Sequence, residues 1–252
     1  MANMALATLE SALRARKLDR TLTTALPSLE RLDTSALASI DIPDLDACLR
    51  GGLPRGHLSE IAGPRSAGGT TLLFRSLMAA TQRGEIVALI DTFDRLDVAS
   101  VSAAGVDLDR LLWVRGQAAV SAGAGPQHGV LERAIERALK AFNLVLQAGG
   151  FGVVALDLAD VPLIALKRVP FTTWLRIQRV VEGSDTASVI VVPQPLARSA
   201  GGVTLTLGSP ASRWAGESDR SRRFDGLDVT VRIVSPRRRV EGEVEIRASA
   251  CH

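Results

Sequence analysis

Tyrosine is absent from this sequence, and cysteine, lysine and long apolar runs are scarce. Its 252 residues include only two cysteines, Cys48 and Cys251. That excludes a disulfide framework and a cysteine-built metal cluster. No run of roughly eighteen apolar residues occurs, so no membrane-spanning helix is expected. The opening stretch, MANMALATLESALRARKLDR, lacks the basic-then-apolar layout of a secretory signal, and Glu10 interrupts its apolar run. A cytoplasmic setting is the expectation. The three histidines, His57, His128 and His252, share no spacing with one another or with acids that would build a metal site. No His–Asp pair stands ready to activate the hydroxyl of Ser66 or Thr71, so a hydrolase of that kind has no basis. Internal repeats and low-complexity tracts are absent too.

What is present is an ordinary globular composition, 46% hydrophobic and 23% charged. The length suits one α/β domain with a small appendage. The formal net charge is +3, and arginine carries it, since there are only three lysines. From Arg198 onward ten arginines stand against seven acids, which accounts for the whole excess. Such a basic end can meet DNA or an acidic protein tail, or can simply be a solvated face.

Residues 3–26 read as a helix with Leu6, Leu9 and Leu13 on one stripe, ending near Pro27. A shorter helical patch is expected near 29–38. Beyond it strand and helix alternate. Strands are expected at 57–63, 85–91, 111–116, 151–160 and 187–194, and helices at 70–84, 128–150 and 170–183. Gly84 and Gly149–Gly150 close two of those helices, and Pro170 opens the third. After Pro195 the pattern changes. GVTLTLG, LDVTVRIVSP and VEGEVEIRA alternate with period two, as half-exposed antiparallel strands do. The polar stretch SPASRWAGESDRSRRFDG, 209–226, reads as a loop. The expected organisation is an N-terminal helical segment over 1–40 and an α/β core over 41–252. In that core a mostly parallel central sheet is flanked by helices and finished by a C-terminal antiparallel β extension.

Between an expected strand and an expected helix lies GPRSAGGTT, residues 63–71. The phosphate-binding loop in that setting reads G-x-x-x-x-G-K-[ST]. Gly63 and Gly68 let the backbone turn and point amides inward. The helix start adds unpaired N–H groups and the positive end of a dipole, and Thr70 adds a hydroxyl for Mg²⁺. Position 69, a lysine in the pattern, is Gly69. That lysine offsets charge on the β- and γ-phosphates. By analogy with a lost oxyanion donor, its absence costs about 3 kcal/mol of transition-state stabilisation. Arg65 is the nearest cation in sequence, on the outer arc of the loop. Asp157 ends a buried strand where a Mg²⁺-holding acid belongs, although a strand-end cap would look the same. Gly63, Gly68, Gly69, Thr70 and Asp157 thus trace a relic nucleotide site. No working cofactor is expected; ATP and Mg²⁺ belong only to the alternative of an active enzyme.

These residues carry a family resemblance. The run from IPDLDACLRGGLPRGHLSEIAGPRSAGGTTLL through IDTFDRLD to GVDLDRLL resembles the core of bacterial RecA-type recombinases, and the resemblance extends over about residues 40–248. It implies a RecA-like P-loop NTPase core, and it exposes departures. Phe93 stands where the family carries the glutamate that primes water, and Asp94 beside it is expected to point elsewhere. Gln194 fits the family's polar sensor. The region of the first DNA-binding loop, LADVPLIALKRVPFTTW, is apolar and lacks the usual glycines; the second shrinks to PLARSAGG. Arg237 and Ser235 stand where two lysines would reach a neighbour's nucleotide. RecA protomers associate through an N-terminal helix, an edge strand and the nucleotide cleft, so the resemblance implies that those faces can bind partners. A RecA-like chain of this length with a degenerate loop is similar to the ImuA family. Those are accessory proteins of bacterial DNA-damage mutagenesis that work with polymerase-like ImuB and an error-prone polymerase.

Three functions are open at this point. The expected one is a non-catalytic accessory protein of translesion synthesis whose partners are RecA and/or an ImuB-like polymerase subunit. The second is a weak ATPase using Arg65 or a partner's arginine as replacement cation. The third is DNA binding through Arg213, Arg220, Arg222 and Arg223 together with Arg237, Arg238 and Arg239. In that third reading Trp214 could stack on a base, although it is expected to be tucked onto the core.

Overall fold

A computed structural model of the chain describes residues 36–116, 128–197, 201–218, 220–235 and 240–249. The helix expected at 3–26 and the arginines Arg237, Arg238 and Arg239 lie outside those residues. The described part opens with β1 (Leu37–Ala38), which pairs antiparallel with β2 (Leu53–Pro54) around α1 (Pro43–Cys48). The helical patch expected to reach residue 38 is therefore a strand at its end. Proline opens α1. The Asp46 carboxylate within it accepts from Ser39 Oγ at 2.6 Å and from the Ile40 amide at 3.0 Å, which fixes the turn between β1 and α1.

The strand–helix alternation then runs as the apolar pattern dictates. It comprises β3 (His57–Ala62), α2 (Gly69–Gln82), β4 (Val87–Asp91), α3 (Val98–Ala103), β5 (Leu111–Arg115), α4 (His128–Ala148), β6 (Val153–Asp157), α5 (Leu163–Leu166), α6 (Phe171–Val181) and β7 (Ala187–Val192). Four further strands follow: β8 (Thr204–Leu207), β9 (Ala211–Ala215), β10 (Arg223–Ser235) and β11 (Val240–Ser249). The sheet order is β11-β10-β8-β3-β7-β6-β4-β5, with β9 paired to the first half of β10. Strands from β8 to β5 run parallel to one another. The pairs of β10 with β8, β9 and β11 are antiparallel.

Two expectations change here. β8, expected only in an antiparallel arrangement, is the junction: it is parallel to β3 on one side and antiparallel to β10 on the other. The polar stretch expected as a loop contains β9 and the start of β10. Their side chains alternate weakly, but Ala211–Ala215 is held by ladder bonds to Arg223–Asp228.

VALID, VVALD and ASVIVV are nearly continuous apolar runs because both faces of a parallel sheet are covered. Side chains alternate between those faces. Ile61, Leu89, Ala155 and Val191 pack with Leu73 and Leu77 of α2. Leu58, Ile90, Leu156 and Ile190 pack with Phe142 of α4 and with Trp174 and Ile177 of α6. Among the described residues no helix is long and apolar enough to cross a membrane.

Candidate functional site at the glycine loop

Parallel strands place their carboxyl ends on one side of the sheet, and the loops leaving them form a crevice. Here β3 delivers the glycine loop, β4 ends in Asp91 and β6 ends in Asp157, with Asp91 and Asp157 opposite each other in register. The crevice holds about 470 Å³.

The loop is built as its sequence requires. A Cβ on Gly63 would lie 2.7 Å from Leu207 Cβ, so β8 can lie against the loop only if residue 63 has no side chain. Ser66 and Gly68 both have left-handed backbones, with φ of 62° and 91°. Gly68 takes that conformation freely and begins α2, where its carbonyl accepts from the Leu72 amide at 3.0 Å. Thr70 is exposed and lines the cleft. Gly69 is the informative position. A Cβ there would be in ordinary contact with Val191, Leu207 and Ile61, 3.5–3.8 Å away. The space a loop lysine would enter first is therefore walled by aliphatic side chains.

The two floor carboxylates differ in what they hold. Asp91 is buried and accepts from the Leu96 amide at 2.8 Å and from Trp113 Nε1 at 3.3 Å, so it orders the turn after β4. Asp157 accepts from the Ala159 amide at 2.9 Å. Burial pushes the Asp157 carboxyl up to about 6, and the neighbouring Asp91 and Asp160 add to that, against the opposing pull of the Ala159 amide and Arg95.

Three side chains close the mouth. Asp160, in the turn after β6, forms an ion pair with Arg65 of the loop and another with Arg95 at 2.6 Å. One carboxylate thus ties the glycine loop to the turn after β4. Phe93 packs against the core on the α4 side, with the Arg95 guanidinium 6.0 Å from its ring centre. Asp94, at φ 57°, points to Arg115 and receives two hydrogen bonds at 2.7 and 2.8 Å. Those bonds hold its carboxyl below the usual range, and Asp94 does not line the cleft. Gln194 is exposed beyond the end of β7 and is also absent from the lining.

Gly63, Gly69, Thr70 and Asp157 line the cleft, whereas Gly68 lines a neighbouring cavity beside Val229 and Leu72; among the described residues Arg213, Arg220, Arg222 and Arg223 do not line the cleft. Arg213 on β9 is only 23% exposed and pairs with Asp225 and Asp228 at 3.4 and 3.6 Å. Its charge is already met within the protein. Arg220, Arg222 and Arg223 are exposed between β9 and the start of β10. Trp214 corrects an expectation: it is 54% exposed and meets Phe224 edge-to-face, ring centres 5.7 Å apart. Sequence reasoning misses Asp91, Arg95 and Asp160. The first two sit in IDTFDRLD, a segment conspicuous for Phe93; Asp160 lies three residues past Asp157, where a strand is expected to continue.

Comparison with known proteins bears on this arrangement. Residues 13–124 match the RecA N-terminal domain family. Over 84 residues the chain is 42% identical to protein RecA of Synechocystis sp., covering 33% of this chain and 22% of that protein. Over 133 residues it is 34% identical to protein RecA of Desulfotalea psychrophila, covering 53% and 32%. Over 230 residues it is 28% identical to protein RecA of Rippkaea orientalis, covering 86% and 59%. The chain is thus similar to RecA proteins at modest identity. It spans between about a fifth and three fifths of the length of these curated relatives. The fold agrees: a RecA-like core has a mixed, mostly parallel sheet flanked by helices, closed here by the antiparallel pair β10–β11.

Proposed function

We propose that this RecA-like chain is a non-catalytic accessory protein of DNA-damage-induced mutagenesis, of the ImuA kind, that works by protein–protein contacts. Its partners in this reading are RecA and an ImuB-like polymerase subunit, and one consequence of the first contact is to limit RecA filament activity. The observation that carries the reading is the state of the cleft. Residue 69 has no cation and its Cβ position lies among aliphatic side chains, the slot of the water-priming acid holds Phe93, and Asp160 binds the two arginines at the mouth. That set of groups is poorly matched to phosphoryl transfer, which depends almost wholly on positioned charge.

A second feature supports contact with RecA protomers. Among the described residues β5 is the last strand at one border of the sheet, with an unpaired outer ladder. Leu112 on it is 43% exposed. An extended segment of a partner can add to such an edge, with main-chain hydrogen bonds giving affinity. The test is capture of purified RecA, and separately of an ImuB-like subunit, by the immobilised chain. We expect both to be retained, and Leu112→Glu to lower RecA retention at least fivefold with the melting curve unchanged. Retention of neither partner removes the reading.

A further inference from the structure

Residues 161–181, VPLIALKRVPFTTWLRIQRVV, contain four bases and no acid. They form α5 and α6, and α6 has two separate stripes. Trp174, Ile177 and Val181 are buried against the sheet. Phe171, Leu175 and Arg179 follow one another at four-residue spacing on the outer side, with Arg176 next to them. Phe171 is 48% exposed and Leu175 39%, and Ile164 on α5 is 71% exposed. Of the four bases, Arg168 is paired with Glu132 of α4 at 3.0 Å. Among the described residues Lys167, Arg176 and Arg179 make no ion pair, and all three are exposed.

From this we infer that the outer face of α5–α6 is a docking surface for an acidic amphipathic helix of a partner protein. The charge and the apolar side chains must both be served. Acids on the partner would meet Lys167, Arg176 and Arg179, while its apolar stripe covers Ile164, Phe171 and Leu175. A nucleic-acid backbone would use the bases but leave the aliphatic residues in water. An anionic membrane needs a broad apolar stripe, and the strong stripe of α6 is already buried in the core. The inference deepens the protein-contact reading by giving a partner's chemistry at a surface remote from β5, and rests on that reading only for the partner being a protein.

The test uses the full chain and fluorescence anisotropy. The probe is a synthetic 18-residue peptide with leucines at helical spacing on one side and glutamates on the other. Its scrambled isomer, a 20-residue oligothymidylate and anionic phosphatidylserine vesicles are run beside it. We expect the peptide to bind at least tenfold more tightly than its isomer. Binding should fall at least tenfold in the double variant Phe171→Ser, Leu175→Ser and at least fivefold in Arg179→Glu, with melting curves unchanged. The single variant Leu175→Ser gives the same reading should the double variant fold poorly. The inference is overturned by equal binding of peptide and isomer, by peptide binding indifferent to these substitutions, or by oligonucleotide or vesicles using these residues in the peptide's place. Failure here leaves RecA capture untouched, and loss of RecA capture leaves the peptide titration to be read by itself.

Discussion

Asp157 carries a carboxyl held well above its ordinary range. Its carboxyl sits at about 6 against an ordinary 3.8, because burial and two neighbouring acids oppose its charge. A raised carboxyl means that the folded protein holds the proton more tightly than the unfolded chain. Stability is therefore penalised above pH 6 and recovered as the pH falls toward 4. Asp157→Asn removes the charge and keeps an oxygen for the Ala159 amide. It is expected to stabilise the protein by up to about 3 kcal/mol near pH 7.5, the free energy that corresponds to raising a carboxyl from 3.8 to about 6. The gain should shrink to near zero at pH 4; equal gains at both pH values in urea titrations would refute the account. Gly69 gives a second prediction at this scale. Its Cβ position is uncrowded and its backbone needs no left-handed conformation, so Gly69→Lys should fold. ATP hydrolysis should stay at background in steady-state assays, since Phe93 still supplies no acid. Gly69 could be read from sequence because the loop motif numbers its own residues, and Asp157 because it ends an apolar strand run. The Asp160 bridge could not, since Arg65, Arg95 and Asp160 come from three different strand ends.

At the scale of elements, the contact between the glycine loop and β8 is the tightest constraint. Gly63→Ala would force its new methyl within 2.7 Å of Leu207 Cβ, and Leu207 is nearly fully buried between β3 and β10. The expected cost is about 1–3 kcal/mol, read as a lower urea midpoint with an unchanged slope. The same contrast explains which elements were legible. Strands β4, β6 and β7 announce themselves because burial on both faces demands nearly unbroken apolar runs. Strand β9 does not: ASRWA is mostly exposed, and hydrogen bonds to β10 rather than a buried side define it. Likewise β1 is two residues long and exists through its pairing with Leu53–Pro54, a partner that periodicity near 29–38 could not reveal.

For the molecule as a whole, alternation of strands and helices was enough to give a sheet with helices on both faces, because a parallel crossover usually carries a helix that covers the sheet. What the whole fold adds is a cleft whose mouth is held by Asp160 paired with Arg65 and Arg95. Ligand linkage separates a scaffold from a working site. A nucleotide present at 100 times its dissociation constant would add about 2.7 kcal/mol to stability, which in a protein of this size raises the melting temperature by roughly 5–10 °C. With Asp160 already bound to Arg65 and Arg95, and aliphatic side chains around Gly69, 1 mM Mg-ATP is expected to shift melting by less than about 1 °C. Asp160→Ala frees both arginines and should produce a larger shift than the parent chain shows, still without turnover. A large shift in the parent chain, accompanied by hydrolysis that Asp157→Ala abolishes, would make this molecule an ATPase and end the scaffold reading.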